Sequence, residues 1–157
     1  MNRRGTLFAL LAFGGAFHAP AAFAQAPVRR IGFLSADSPK YTAGEEARRL
    51  FPAALKRLGY EEGRNLVIEW RWGDAKIERL PALAEELVRL RVELIVARTN
   101  APIAAVKRAT GTIPVVMLNG SFPVEMGFIE SLARPGGNIT GTAYRSPEIL
   151  EKQLQIL

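Results

Sequence analysis

The sequence contains no cysteine and a single histidine, His18. Without thiols there is no disulfide framework, no cysteine nucleophile and no thiolate zinc site. His18 falls in a segment expected to be cleaved off, so neither a Ser/His nucleophile system nor a histidine metal site can be assembled from the remainder. A long apolar run is also missing. The longest, Leu7 to Phe17, has eleven residues and is broken by Gly14 and Gly15, whereas a bilayer-spanning helix needs about 20. No phosphate-cradling pattern occurs: Gly136-Gly137-Asn138 has neither the GxGxxG nor the GxxxxGKS spacing, and it follows a helix-like run where a nucleotide fingerprint follows a strand. Strong charge of one sign is lacking too, with 21 basic against 15 acidic residues. Removal of Arg3 and Arg4 with the leader leaves 19 against 15, a net charge of +4. The charges sit in mixed runs such as EEARR and AEELVRLRVE, which are solvated helix faces rather than a nucleic-acid stripe. No nucleic-acid partner, metal or cofactor is therefore expected.

What the chain does have begins with an export pattern: Arg3 and Arg4, the apolar run, then small residues around Ala22-Phe23-Ala24. Residues 1–24 are expected to be a signal peptide. Cleavage after Ala24 is favoured over Ala26, which would leave Pro27 first. With no cysteine near the cleavage point to carry a lipid, the product is expected to be soluble in the periplasm. The arginine pair also raises the twin-arginine route beside the general secretory one.

From Val28 onward strands and helices alternate. VRRIGFLS reads as a buried first strand. Thr42 and Glu45 have capping-box spacing, and Ala47, Leu50, Phe51, Ala54, Leu55 and Leu58 form one apolar stripe of a helix ended by Gly59. Pro52 lies inside that pattern and predicts a kink or restart. NLVIEWRW alternates strictly, as a half-exposed edge strand does. A helix is expected from about Lys76 to Leu90, capped by Asp74, with Ile77, Leu80, Leu83, Ala84, Leu87 and Leu90 inward. VELIVA reads as a central strand, RTNAPIAAVKRAT as a turn and short helix, IPVVML as a fourth strand, NGSFPVEM as a loop and GFIESLA as a helix. A fifth strand starts near Ile139. This order implies right-handed crossovers and a parallel sheet with helices on both faces, a Rossmann/flavodoxin-like α/β fold of strand order 2-1-3-4-5.

Ligands of open α/β sheets collect at the carboxyl ends of the strands. Here those ends are Ser35 to Ser38, Trp72 and Gly73, Arg98 to Ala101, and Asn119 to Pro123. Thr99 and Asn100 precede a helix, so their side chains are equally suited to capping it and to meeting a ligand. Phe122 suits a buried loop anchor as well as a lid on an apolar ligand. Asp37 and Asp74 are the candidate carboxylates for acid/base chemistry, in different loops and without a histidine or lysine partner at a telling spacing. No catalytic residue is assigned, and a binding protein is favoured over an enzyme.

RRIGFLS, LKRLGYEEGRNLVIEWRWGDAKIERLPALAEELVRLRVELIVA, TIPVVM and SLARPGGNITG together resemble the substrate-binding family of ABC transporters typified by tryptophan/tyrosine uptake systems. The resemblance runs from Arg29 to about Leu157. It implies the type I periplasmic-binding-protein form, two Rossmann-like lobes that hold a ligand in the cleft between them and close about a hinge. Residues 25–141 would then be the N-terminal lobe. RPGGNITG would be the turn feeding the strand that leaves it. Residues 142–157 would be the hinge crossing and the first helix of a truncated second lobe, capped by Ser146 with Pro147 in its first turn. Leu150, Leu154 and Leu157 would then face a missing partner sheet.

By the same resemblance, ligand contacts map to Ser35 and Asp37, to Thr99, Asn100 and Ala101, and to Asn119, Ser121 and Phe122, with Tyr144 close to the crossing. Where many relatives show Asp-Pro-Val, this chain has Phe122-Pro123-Val124, which removes one acidic partner for a ligand ammonium. The expected function is the extracytoplasmic solute-binding component of an ABC importer. It would bind a small organic ligand, an amino acid or carboxylate-like molecule, and deliver it to a permease of the inner membrane. The alternatives are a free-standing exported flavodoxin-like interaction or sensory domain and, behind it, an exported hydrolase using Asp37 or Asp74.

Overall fold

Residues 27–144 are described by the computed structural model. The export segment 1–24, and Ser146, Pro147, Leu150, Leu154 and Leu157 of the expected second-lobe helix, lie outside the described residues. The elements run β1 (Arg29–Ser35), α1 (Thr42–Arg57), β2 (Leu66–Trp72), α2 (Leu80–Arg89, led in by a 3-10 turn at Ile77–Arg79), β3 (Leu94–Arg98), α3 (Asn100–Ala109), β4 (Val115–Ser121) and β5 (Ile139–Tyr144). All strand pairs are parallel, in the order β2-β1-β3-β4-β5. This is the α/β architecture the alternation predicts, with the amphipathic β2 at one edge.

The period-2 pattern of the strands divides the core in two. Leu34, Ile95, Ala97, Val115, Met117 and Ile139 point to one face and pack against Leu80, Leu83, Ala84 and Leu87 of α2 and Ile103, Ala105 and Val106 of α3. Ile31, Phe33, Leu66, Ile68 and Val96 point to the other, against Ala47, Phe51 and Leu55 of α1. β1 and β3 are central and apolar on both faces because helices cover both, the arrangement that parallel sheets need. Helix α1 is the less completely buried partner: Leu50 in its stripe is 52% exposed.

Several local expectations are corrected. The residue before α1 is Tyr41, whose carbonyl accepts from Gly44 and Glu45 N–H at 2.8 and 2.9 Å. Thr42 is therefore already inside the helix and the capping box with Glu45 is not made. The helix runs through Pro52 as one element, so no restart occurs there. Asp74 caps nothing. It lies in a turn with Ala75, both at positive φ (54° and 60°), and pairs with Arg79. Regular α2 starts at Leu80 with Pro81 in its first turn, which spares Pro81 an intrahelical donor, and Ile77 is left 63% exposed rather than inward. Strand β4 extends through Asn119, Gly120 and Ser121, which the sequence placed in a loop.

GFIESLA is not a helix but a series of turns. The Phe122, Val124 and Pro123 carbonyls accept from Met126, Gly127 and Phe128 N–H at 2.9, 2.8 and 2.7 Å, and Gly127 has φ 66°. Seven residues starting at a left-handed glycine cannot offset the cost of helix nucleation. Phe128 and Ile129 are nonetheless buried in the core, so the apolar signal was burial without a helical backbone.

Two asparagines account for the most distinctive stretches. In LGYEEGRN, Asn65 accepts from Glu61 N–H at 2.8 Å and donates to the Gly59 carbonyl at 2.9 Å, closing the connection from α1 to β2. In RPGGN, Asn138 donates to the Ile113 carbonyl at 2.7 Å while its own carbonyl accepts from Val115 N–H at 2.8 Å, which tethers the turn to the start of β4. Asn65→Ala, which frees one backbone donor and one acceptor, is expected to cost about 1–2 kcal/mol. Urea unfolding checks it, and an unchanged midpoint would show that the loop closes without the side chain.

Candidate functional site

The parallel register brings the last residues of all five strands to one end of the sheet. Ser35 pairs with Trp72 on one side and Arg98 on the other, Arg98 with Leu118, and Ser121 with Tyr144. Short connections then place the loops after β1, β3 and β4 around that end. The site residues expected from the sequence mostly converge there, but they do different things.

Ser35 is fully buried. Its hydroxyl donates to the Asp37 carboxylate at 3.0 Å and accepts from Asp37 N–H at 3.2 Å, so it holds the loop after β1. The Asp37 carboxylate also pairs with the Arg98 guanidinium. Asp37 and Arg98 are 61 positions apart, yet β1 and β3 are neighbours, so the loop after one strand meets the last residue of the other. Arg98, which the sequence places at the end of the third strand but not among the ligand contacts that the resemblance implies, thus belongs to this surface. The signal for its pairing with Asp37 is the sheet order itself, which puts an acidic residue two past β1 beside the basic end of β3.

The second candidate carboxylate, Asp74, is brought to the same end. Its N–H donates to the Asp37 carbonyl at 3.1 Å, and Gly73 and Ala75 donate to Ser35 and Ala36 at 2.8 Å each. Hydrogen bonds from Arg79 and then Ser38 hold the Asp74 carboxyl below its ordinary range. Both carboxylates are thus committed to arginines, Asp37 to Arg98 and Asp74 to Arg79. Neither is arranged as a free acid or base, and among the described residues no three acidic, histidine or cysteine side chains gather to hold a metal ion.

At the β3–α3 corner, Thr99 has φ 71° and ψ 167° and its side chain does not cap the helix. The Asn100 side chain turns instead to the end of β4, accepting from Ser121 N–H at 2.7 Å and donating to the Ser121 carbonyl at 3.0 Å. Ala101 follows in the first turn of α3, half buried. Asn119 is exposed within β4 at φ 55°. Phe122, just past β4, has φ 51° and is 40% exposed, so it stands at the surface rather than serving as a buried anchor. Tyr144 ends β5 and pairs through its backbone with Ser121. Beside this end, an open groove of about 330 Å³ runs between α1 and the sheet, lined by Phe33, Ala47, Leu50, Phe51 and Leu118, with Arg98 at its edge.

Residues 41–157 match the family model of the ABC transporter substrate binding protein. A tyrosine-binding protein of Clostridioides difficile (strain R20291) is 32% identical over 99 residues, 63% of this chain and 29% of that protein. Among solved structures, a ligand-free, open substrate binding protein with adhesive properties from Clostridium difficile superposes with a TM-score of 0.71 at 26% identity, over 82% of this chain and 43% of the other. A conserved domain protein from Vibrio cholerae gives 0.71 at 25% identity with the same coverage. An ABC domain in complex with L-Trp from Streptococcus pneumonia gives 0.67 at 22% identity, over 73% and 38%, and shares the fold. The chain spans less than half the length of each of these proteins.

Proposed function

We propose, because this chain belongs to the ABC transporter substrate binding protein family, that it forms one wall of the ligand cleft of an extracytoplasmic receptor serving an ABC importer. The family is one of solute-binding proteins rather than enzymes. The ligand we propose is a small organic molecule, an amino acid or carboxylate-like compound, in line with the tyrosine-binding relative, and the partner is an inner-membrane permease. Periplasmic location rests on the export pattern of residues 1–24. The greater length of the relatives is room for an opposing lobe, and we read this chain as carrying the first lobe and the crossing that leaves it.

The observation that carries the reading is the convergence of five strand ends on one surface, built from the Asp37–Arg98 pair, the Thr99–Asn100 corner, and Ser121 and Phe122. Such a surface offers a carboxylate, a guanidinium, backbone amides and one aromatic face, the few convergent polar groups and apolar area that small-molecule sites use. The acidic group on this surface is Asp37, which a ligand ammonium would have to share with the Arg98 guanidinium already paired to it. Closure of an opposing lobe would exclude water and strengthen those contacts.

A single wall encloses little of a ligand, so weak binding is expected. Titration of the 157-residue chain with L-tyrosine should shift backbone amide resonances at residues 98–101 and 119–122, with a Kd no tighter than about 1 mM. Benzoate, which lacks the ammonium group, should shift the same amides less. Shifts absent from these loops would refute the site, and micromolar affinity would refute the requirement for a second wall.

A further inference from the structure

We infer that Asn100 is a positioning residue of the strand-end surface: its carboxamide clasps the end of β4 and thereby holds Thr99 in a strained backbone conformation that shapes the wall of the cleft. The inference rests on the reading of that surface as the ligand wall, but its central test needs no ligand.

Thr99 occupies φ 71°, ψ 167°, a region that is essentially glycine's because a Cβ there crowds the flanking peptide groups. A β-branched residue suits it still less. Strain of this kind persists only where the surroundings enforce it. Two restraints reach this corner from β4. Thr99 N–H donates to the Leu118 carbonyl at 2.9 Å. Three residues farther along the strand, both the N–H and the C=O of Ser121 are taken by Asn100, at 2.7 and 3.0 Å. Rotation of Thr99 toward ordinary extended values would swing Asn100 away from Ser121 and break both bonds at once, so the clasp opposes relaxation.

On the other strand end the clasp grips Ser121, which with Gly120 lies between two further left-handed positions, Asn119 at φ 55° and Phe122 at φ 51°. Three non-glycine residues with positive φ therefore lie within four positions of Ser121 or next to Asn100, and a single carboxamide ties the two groups together. With one lone pair of the oxygen and one N–H of that carboxamide engaged by Ser121, Asn100 acts on the site through Thr99 and Phe122.

The test is a double-mutant cycle of Thr99→Gly and Asn100→Ala followed by urea unfolding. If the clasp enforces the strain, Asn100→Ala already lets the corner relax, and a glycine at 99 then has no strain left to remove. Thr99→Gly should improve the folding equilibrium at least about fivefold more in the wild-type chain than in the Asn100→Ala chain. Additive effects would overturn the inference, since the strain would then be held by something else. Should Asn100→Ala not unfold cooperatively, Asn100→Asp keeps the acceptor for Ser121 N–H, loses the donor, and enters the cycle under the same criterion.

A second readout is local. Amide exchange at Ser121 and Phe122 should accelerate about tenfold in Asn100→Ala while Ile95 and Val96 keep their protection, and unchanged exchange at Ser121 would likewise overturn it. The functional reading stands or falls separately. Coupling in the cycle without L-tyrosine shifts at these loops would leave the clasp and remove the ligand site, whereas shifts without coupling would do the reverse.

Discussion

Gly141→Ala is expected to destabilise the fold by about 4 kcal/mol, combining left-handed backbone strain of about 1–3 kcal/mol with a steric displacement of similar size. Gly141 sits in β5 at φ 136°, and a Cβ built there meets the Met117 carbonyl oxygen at 2.1 Å and its nitrogen at 2.7 Å. These are backbone atoms of the neighbouring strand, so no rotamer change relieves the clash. The only escape is separation of β5 from β4 where their register already shifts between Met117 and Gly120. A thermal midpoint lower by roughly 15 °C follows for a domain of this size. Gly137→Ala is the control, because a Cβ there meets nothing within 4 Å and surface changes of this kind stay within about 0.5 kcal/mol. Equal melting of the two variants would show that β5 is not held against β4 as described.

Phe33→Ala should cost about 3–5 kcal/mol, the range for deleting a buried aromatic ring. Phe33 is 1% exposed on the α1 face of β1. Its ring centroid lies 5.2, 4.8 and 5.9 Å from those of Phe51, Trp70 and Trp72, so one truncation removes three aromatic contacts. The two tryptophans are the only ones in the chain, and they stack on each other at 5.6 Å with their planes 5° apart. Their fluorescence reports the same event without a label: the emission should move to longer wavelength in the folded variant as water reaches the void, and the urea midpoint should fall. A loss of stability below about 1 kcal/mol would mean that α1 collapses onto the sheet and refills the space. The indole N–H of Trp72 is buried and has no hydrogen-bond partner among the described residues, in a cluster held by ring contacts.

Much of this architecture is legible along the chain because each strand declares its surroundings through its own periodicity. Leu66, Ile68, Trp70 and Trp72 alternate with Val67, Glu69 and Arg71, and the strand that carries them is the edge strand β2. The continuous apolar run in Leu94–Arg98 belongs to the centre. Helix boundaries are less legible, because a cap is a matter of where the preceding chain arrives. Thr42 and Asp74 have the right chemistry for caps, yet the turns before them bring Tyr41 and Arg79 to the cap positions. GFIESLA illustrates a different failure, in which residues buried as a helix would bury them follow a chain of turns.

At the strand ends, the row of loops follows from counting strands, whereas the partnerships within it do not. Ser35 and Asp37 are close in sequence, and their hydrogen bonds are of the kind short spacing allows. The pairing of Asp37 with Arg98 spans 61 positions, and the clasp of Asn100 on Ser121 spans 21. Nothing in the local pattern of either segment names the other. Local periodicity and composition by themselves determined that this is an alternating α/β chain with a parallel sheet, no thiol chemistry, and a row of loops at one end of that sheet. Tertiary structure alone decided which strand-end side chains are spent bracing one another, because hydrogen bonds and ion pairs form between groups that are near in space, and that nearness is set by the order in which the strands assemble.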